Sequence, residues 1–345
     1  MKAIKIIARG KAEIQDAPIP ALRDDYVLVK VKAVALNPTD WKHIDFGGLA
    51  GATSGCDFAG VVEEIGSKVT KAWKKGDRIA GFAHGGNALQ LEDGGFAEYL
   101  VAKGDLWLKI PDGVSDEDAS TLGIGITTVG QALYQSLKLP LPGASTKAGV
   151  PLLIYGASTA TGTLAVQFAR LSGCSSIIAT CSPSNFELVK SLGADAVFDY
   201  KDPECAAKIR AHTAGAPLGL ALDCIGDQAS TDVCAAALGP AGGVISSLSA
   251  QGKSPRQDVT VQFTLGYMII GERLKLGPTM DIPGNPDEFE FGKAFWPLAE
   301  ALLAEGRIRV HPVQVGEGGL EGVFEGLQAM REGKVSGKKL VYRID

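Results

Sequence analysis

The chain has 345 residues, 46% apolar and 21% charged, and its 34 basic and 39 acidic side chains leave a formal net charge of -5. That length and composition suit about two globular domains with buried cores, and exclude a disordered, collagenous or coiled-coil chain. The acidic balance excludes a nucleic-acid backbone as the main partner, because nonspecific affinity for phosphates needs clustered Lys and Arg.

No apolar run approaches the ~20 residues of a membrane helix, and Met1 to Lys5 has no secretory apolar core, so a cytoplasmic protein without a membrane partner is expected. The six cysteines include no CxxC pair and mostly sit in apolar stretches, which suits reduced, buried thiols. The 44 glycines show no triplet period and cluster at pairs such as Gly85-Gly86 and Gly242-Gly243, which mark tight strand connections.

From 1 to about 121 the pattern is strands and turns: residues 26 to 34 alternate, Val61 to Ile65 ends in the Gly66 turn, and residues 75 to 81 repeat that logic. An antiparallel, barrel-like region is predicted. After a Pro- and Gly-rich loop at Leu139 to Pro151, short apolar runs alternate with helical stretches. Strands are predicted at 150–155, 176–180, 196–198, 218–224 and 243–248, and helices at 160–172 and 184–192. Over 122–285 this is a doubly wound parallel sheet, giving an α/β fold class. Beyond a Pro- and Gly-rich stretch at 278–286, helices near 291–304 and 320–332 alternate with strands at 310–315 and 338–344, which return to the first domain. The domains are thus 1–121 with 286–345, and 122–285.

The first parallel strand runs into Gly156-Ala157-Ser158-Thr159-Ala160-Thr161-Gly162 and then a helix. A Rossmann fold presents backbone N–H groups and a helix N-terminus to a pyrophosphate at this place. Against GxGxxG only the last glycine, Gly162, is kept, so a plain strand-to-helix turn is the alternative. At the end of the second strand, where an Asp or Glu would bind a ribose 2'-hydroxyl, the chain reads Thr180-Cys181-Ser182-Pro183-Ser184-Asn185. The missing acid favours NADPH, although one of the serines could instead cap the following helix.

Ala35 to Asp40, Gly55 to Val62, Gly76-Asp77-Arg78-Ile79, the loop at 156–162, Gly193-Ala194-Asp195 and Gly337 to Val341, in this order, resemble the medium-chain dehydrogenase/reductase superfamily. Asn37 to Lys42, Ser158 to Thr161, Ala179 to Asn185 and Val197 to Tyr200 are most similar to the trans-acting enoyl reductases of fungal polyketide synthases. The resemblance implies a GroES-like catalytic domain, an inserted Rossmann domain and an active site between them. It implies that Thr39 and Asp40, with Ser158, Thr159, Ala160, Thr161 and Gly162, meet the cofactor. It also implies that Ser182, Asn185 and Tyr200 line a 2'-phosphate pocket, and that Ser247, Leu248, Leu265, Val335 and Ser336 lie along the nicotinamide half. Gly125, Thr127, Thr128 and Gln131 would border the substrate. For Tyr200 and for the stretch around Leu265, core packing is the alternative.

Zinc alcohol dehydrogenases need three protein ligands from Cys and His. Here the corresponding positions read Asn37, Cys56 and Leu122-Gly123, and the four-cysteine structural loop is missing, so no metal is expected. Reduction of an activated C=C needs only hydride delivery and a hydrogen bond to the developing enolate. Lys42 is the candidate catalytic cation for that enolate or for proton delivery, a surface lysine being the alternative, and His43 is a weaker candidate. The expected activity is NADPH-dependent reduction of an enoyl thioester carried by the acyl carrier protein of a polyketide synthase. A free-standing quinone or enone reductase and a silent nucleotide-binding interaction protein are the alternatives. Basic residues at Lys68, Lys71, Lys74, Lys75 and Arg78, and at Arg331, Lys334, Lys338 and Lys339, are candidate docking rims for an acidic carrier. Monomer and homodimer both remain open.

Overall fold

A computed structural model describes residues 1–214, 217–276 and 280–344. The chain divides into two compact units, 1–127 with 267–345, and 128–266.

In the first unit, β1 (Lys2–Ala8) and β2 (Lys11–Asp16) form an antiparallel hairpin. β3 (Tyr26–Ala35) leads into the short helix α1 (Pro38–Lys42), and then come β4 (Asp57–Ile65), β5 (Arg78–Phe82), β6 (Tyr99–Lys103) and β7 (Leu108–Lys109). Alternation in β3 drives this sheet: Val27, Val29 and Val31 are fully buried, so a one-residue slip would expose them all. Helices α2 (Asp116–Ser120) and α3 (Gly123–Gly130) follow; Ser115 caps α2 by accepting from the Asp118 amide at 3.0 Å.

The second unit holds β8 (Pro151–Tyr155), α4 (Ala160–Leu171), β9 (Ser176–Cys181), α5 (Phe186–Ser191), β10 (Ala196–Asp199) and α6 (Cys205–His212). β11 (Leu220–Asp223), α7 (Gln228–Ala237), β12 (Gly243–Ser247) and β13 (Val259–Phe263) complete it. The strands form one parallel sheet in the order β10-β9-β8-β11-β12-β13. All five residues of β8 are buried, as expected of a central strand covered on both faces. Sequence alternation misses β13 because it is an edge strand whose Thr260, Gln262 and Phe263 are exposed.

The chain then returns to the first unit through β14 (Leu274–Leu276), β15 (Met280–Ile282), α8 (Pro286–Ala304), β16 (Val313–Gly316), α9 (Gly319–Arg331) and β17 (Lys339–Arg343). α8 starts five residues earlier than the sequence pattern suggests, because Asn285 caps it and Pro286 takes its first position. Part of the 278–286 stretch, residues 277–279, lies outside the described residues. β17 pairs with β3 and β16, giving a seven-stranded sheet ordered β16-β17-β3-β4-β5-β7, with β6 also on β3.

Residues 267–285, assigned from sequence to the nucleotide domain, fall in the first unit. The ties are specific. Glu272 accepts from the Tyr26 hydroxyl at 2.8 Å and from the Lys103 ammonium at 2.6 Å, and the Tyr267 hydroxyl lies 2.9 Å from Thr39 Oγ1.

Candidate functional site

In the second unit, β8 ends in a turn at Gly156, whose φ of +74° favours glycine. Thr159 caps α4, its Oγ1 accepting from the Gly162 amide at 3.0 Å. A Cβ on Gly162 would lie 2.4 Å from the Gly156 carbonyl oxygen and 2.7 Å from the Ala157 Cα, so only glycine lets the helix sit this close to the turn. Ser158, Thr159, Ala160 and Thr161 are half-buried at the start of the twelve-residue helix α4. Its first-turn amides and positive dipole end fit an anionic pyrophosphate.

At the end of β9, Ser182 and Asn185 are half-buried and Asn185 Nδ2 donates to Ser158 Oγ at 3.3 Å, joining the corner to the loop. Ser182 makes no side-chain cap bond, so its hydroxyl is not consumed by the turn at Pro183–Asn185. Tyr200 is 36% exposed and is not core. Its ring meets Tyr155 at 6.0 Å between centroids, and the Lys201 ammonium stands 5.8 Å from it. Asp199, the nearest acid along β10, accepts from the Lys201 backbone amide at 3.0 Å. Ser247 is buried at the end of β12 with its hydroxyl donating to the Ser249 carbonyl at 2.9 Å, and Leu248 and Leu265 are half-buried.

In the first unit, α1 presents Thr39 and Asp40. Asp40 is fully buried, and its Oδ2 accepts from the Asn37 amide at 2.7 Å. Burial pushes its carboxyl up to about 7, against the pull of that amide. The Tyr267 hydroxyl bridges Thr39 Oγ1 at 2.9 Å and Cys56 Sγ at 3.1 Å. Its ring packs against two buried imidazoles, stacked on His43 with centroids 5.6 Å apart and tilted against His84 at 4.5 Å. Burial drives His43 down to about 4, although the Gly85 carbonyl opposes this, and His84 down to about 3. Both rings are therefore neutral near pH 7.

Lys42 closes α1 and is exposed, its ammonium 5.7 Å from the Trp41 ring. Gly125 and Thr127 lie along α3, with Thr127 Oγ1 buried and without a partner among the described residues. Thr128 lies near the end of the same helix and Gln131 follows it, both buried. Val335 is half-buried and Ser336 exposed before β17.

Residues 23–112 match the family model of the alcohol dehydrogenase GroES-like domain, and residues 160–279 that of the zinc-binding dehydrogenase. The trans-enoyl reductase ACTTS2 of Alternaria alternata is 49% identical, with 100% of this chain and 99% of that protein covered. The trans-enoyl reductase resD of Aspergillus sclerotiorum is 47% identical with 100% of both covered. The chain belongs to the trans-enoyl reductases of the medium-chain dehydrogenase/reductase superfamily. Among solved structures, the CurK enoyl reductase superposes with a TM-score of 0.78 at 19% identity, covering 100% of this chain and 99% of that one. A quinone oxidoreductase from Coxiella burnetii gives 0.73 at 23%, with the same coverage. Both share the fold.

The reductase is an oxidoreductase of the enoyl reductase type, and its family uses a nicotinamide cofactor. The zinc in the family model's description does not fit the residues present. Asn37 Nδ2 donates to Asp57 at 2.9 Å, while the Lys339 ammonium is hydrogen-bonded to the Asp57 carboxylate, to Asn37 Oδ1 at 2.9 Å and to the Thr121 carbonyl at 3.2 Å. Gly123 has no side chain, and a Cβ there would lie 2.6 Å from Asp57 Oδ1. Burial pushes the Cys56 thiol well above its ordinary range, which opposes the thiolate that zinc requires. An ammonium seated in this cluster also repels a dication. Among the described residues no group of three or more His, Cys, Asp or Glu side chains is placed to hold a metal ion.

Sequence reasoning missed the Lys339–Asp57 pair, the packing of Tyr267 against His84, and Lys201 beside the Tyr200 ring. Lys339 was read as part of a surface rim, yet its side chain is 4% exposed. The motifs Gly55 to Val62 and Gly337 to Val341 contain both ends of the ion pair, but their spacing gives no sign that they meet.

Proposed function

We propose that the reductase transfers hydride from NADPH to the β-carbon of an α,β-unsaturated thioester, acting in trans on a chain carried by a polyketide synthase. The observation that carries this reading is the Lys339, Asp57 and Asn37 cluster, in which Asn37, at the first zinc-ligand position, is tied up by the Lys339 ammonium and Asp57. An alcohol there would lack a Lewis acid, whereas a conjugated thioester is already activated toward hydride.

The loop at 156–162 and the neutral corner of Ser182, Asn185 and Tyr200 support NADPH. No carboxylate stands between Thr180 and Asn185, and Lys201 supplies a cation suited to a 2'-phosphate. When bound, the cofactor supplies a hydride for the β-carbon. The π electrons of the C=C bond then pass to the thioester as an enolate, and a proton added to the α-carbon completes the saturated product. Lys42 donates a hydrogen bond to the enolate oxygen, while the half-buried Thr39 and buried Tyr267 hydroxyls fix the turn that aims it.

Steady-state oxidation of NADPH with a crotonyl pantetheine thioester, a simple enone and a quinone tests this reading. The expected order has the thioester first by kcat/KM. Turnover of the quinone alone would return the protein to free-standing quinone reduction.

A further inference from the structure

The carboxy-terminal end of α1 runs directly into a π-helical turn at His43–Gly47, closed by the Gly48 amide on the His43 carbonyl at 2.6 Å. In this uncommon turn Ile44 is buried, while Phe46 and, just beyond it, Leu49 face outward. Phe46 is 63% exposed and Leu49 51%, the two largest exposures among the big apolar side chains of the described residues. Leu89 and Leu91 are exposed beside them, with Leu91 against Gly51. Phe46, Ile44, Leu49 and Ala88 line a groove of about 280 Å³, flanked by Arg9 and Lys275.

The charges around the groove are unbalanced. Asp45 is spent, its two carboxylate oxygens each 2.9 Å from the Arg331 guanidinium, and Asp281 is spent on Arg273. Arg9 reaches only the Asp45 carbonyl at 3.0 Å and stands 5.9 Å from the Phe46 ring, and Lys275 has no ion pair among the described residues. Elsewhere most members of the basic runs are paired, Lys74 and Lys338 being without an ion pair among the described residues. Lys68 pairs with Asp24, Lys71 with Glu300, Lys75 with Glu63, Arg78 with Asp116 and Lys334 with Glu332.

We infer that this apolar groove, with Phe46 and Leu49 at its centre and Arg9 and Lys275 at its edge, is the docking surface for the acidic acyl carrier protein that presents the substrate. The inference rests on the trans-acting reading above. An apolar centre with an aromatic anchor and an unpaired cationic rim is the composition of a protein interface with an acidic partner. A second copy of the chain fits poorly, because a two-fold contact over this small groove would bring two cationic rims together with no acidic patch to meet them. The groove also lies on the segment that immediately follows Lys42, so a carrier seated there would release its pantetheine arm beside α1.

The test compares a crotonyl-charged acidic acyl carrier protein with crotonyl N-acetylcysteamine, using Arg9→Glu/Lys275→Glu and, separately, Phe46→Ser/Leu49→Ser. The expected result is a roughly tenfold or greater loss of kcat/KM on the carrier substrate for both variants, with the small thioester within about twofold of wild type. Wild-type turnover of the carrier substrate should also fall with added salt, while that of the small thioester should not. Parallel losses on both substrates would overturn the inference by showing that the groove houses the acyl chain itself. An unchanged rate on the carrier would overturn it outright. Should the Phe46 variant fail to fold, the charge-reversal variant and the salt titration decide. Wild-type protein that reduces neither thioester would instead remove the functional reading, and the docking surface with it.

Discussion

The Lys339 ammonium is hydrogen-bonded to the Asp57 carboxylate with both side chains almost fully buried, joining β17 to β4 across 282 residues of sequence. The pair holds the interior of the catalytic unit together: Asp57 Oδ1 also accepts from the Ile124 amide at 2.6 Å, fixing the start of α3. Removing one partner leaves a buried charge uncompensated. Lys339→Met should lower stability by roughly 3 to 5 kcal/mol, and Lys339→Met/Asp57→Asn by less than the single change. Denaturant unfolding checks this. A single variant within error of wild type would show that water reaches the pair.

Acid stability sets three buried histidines against three buried acids, Asp40, Asp93 and Asp223, all raised by burial. His43 and His311 are driven by burial to about 4 and His84 to about 3, so their unfolded rings take protons first as pH falls below 6.5. Stability from each is lost as pH falls from there toward the folded value. Asp40 and Asp93, pushed up by burial to about 7 and about 6, act in the opposite sense and add stability as they are protonated. The histidine contribution, a fall in stability between pH 6.5 and 4, is therefore isolated by removing one imidazole. His84→Phe, which keeps a ring against Tyr267, should reduce that fall by roughly 3 kcal/mol. Parallel pH curves for variant and wild type would contradict it.

The cofactor corner gives a sharper discrimination. Ser182→Asp places a carboxylate where a 2'-phosphate is expected, and should weaken NADPH binding roughly tenfold or more while leaving NADH nearly unchanged. Calorimetry with both nucleotides measures it. Equal affinities of the wild type for both would place the specificity elsewhere.

Much of this was legible in the sequence because it is written in local patterns. The parallel sheet follows from short apolar runs separated by helical ones, and the loop from Gly156 and Gly162 between β8 and α4. The Lys339–Asp57 pair and the packing of Tyr267 against His43 and His84 were not legible, because each joins residues far apart and no period links them. Nor does hydropathy distinguish Phe46, pushed outward by a π-helical turn, from the buried Phe58. Lys201 follows Tyr200 beyond the end of β10, and no sequence pattern separates a single lysine there from a solvated surface residue.

Lys42 is exposed at the end of α1 with its ammonium near the Trp41 ring and no ion pair among the described residues, which suits a cation free to meet substrate. Lys42→Ala should lower kcat for an enoyl thioester roughly tenfold or more, with NADPH affinity within about twofold of wild type. Unchanged kcat would make it a surface lysine.

The most direct test of the enoyl reductase reading follows the hydride. NADPH carrying deuterium at the transferable nicotinamide position is incubated with a crotonyl thioester in ordinary water, and the product is analysed by mass spectrometry and NMR. One deuterium on the β-carbon of the saturated thioester, with a solvent proton on the α-carbon, is the expected result. A saturated product without label, or an unreacted thioester beside a reduced quinone control, would contradict it.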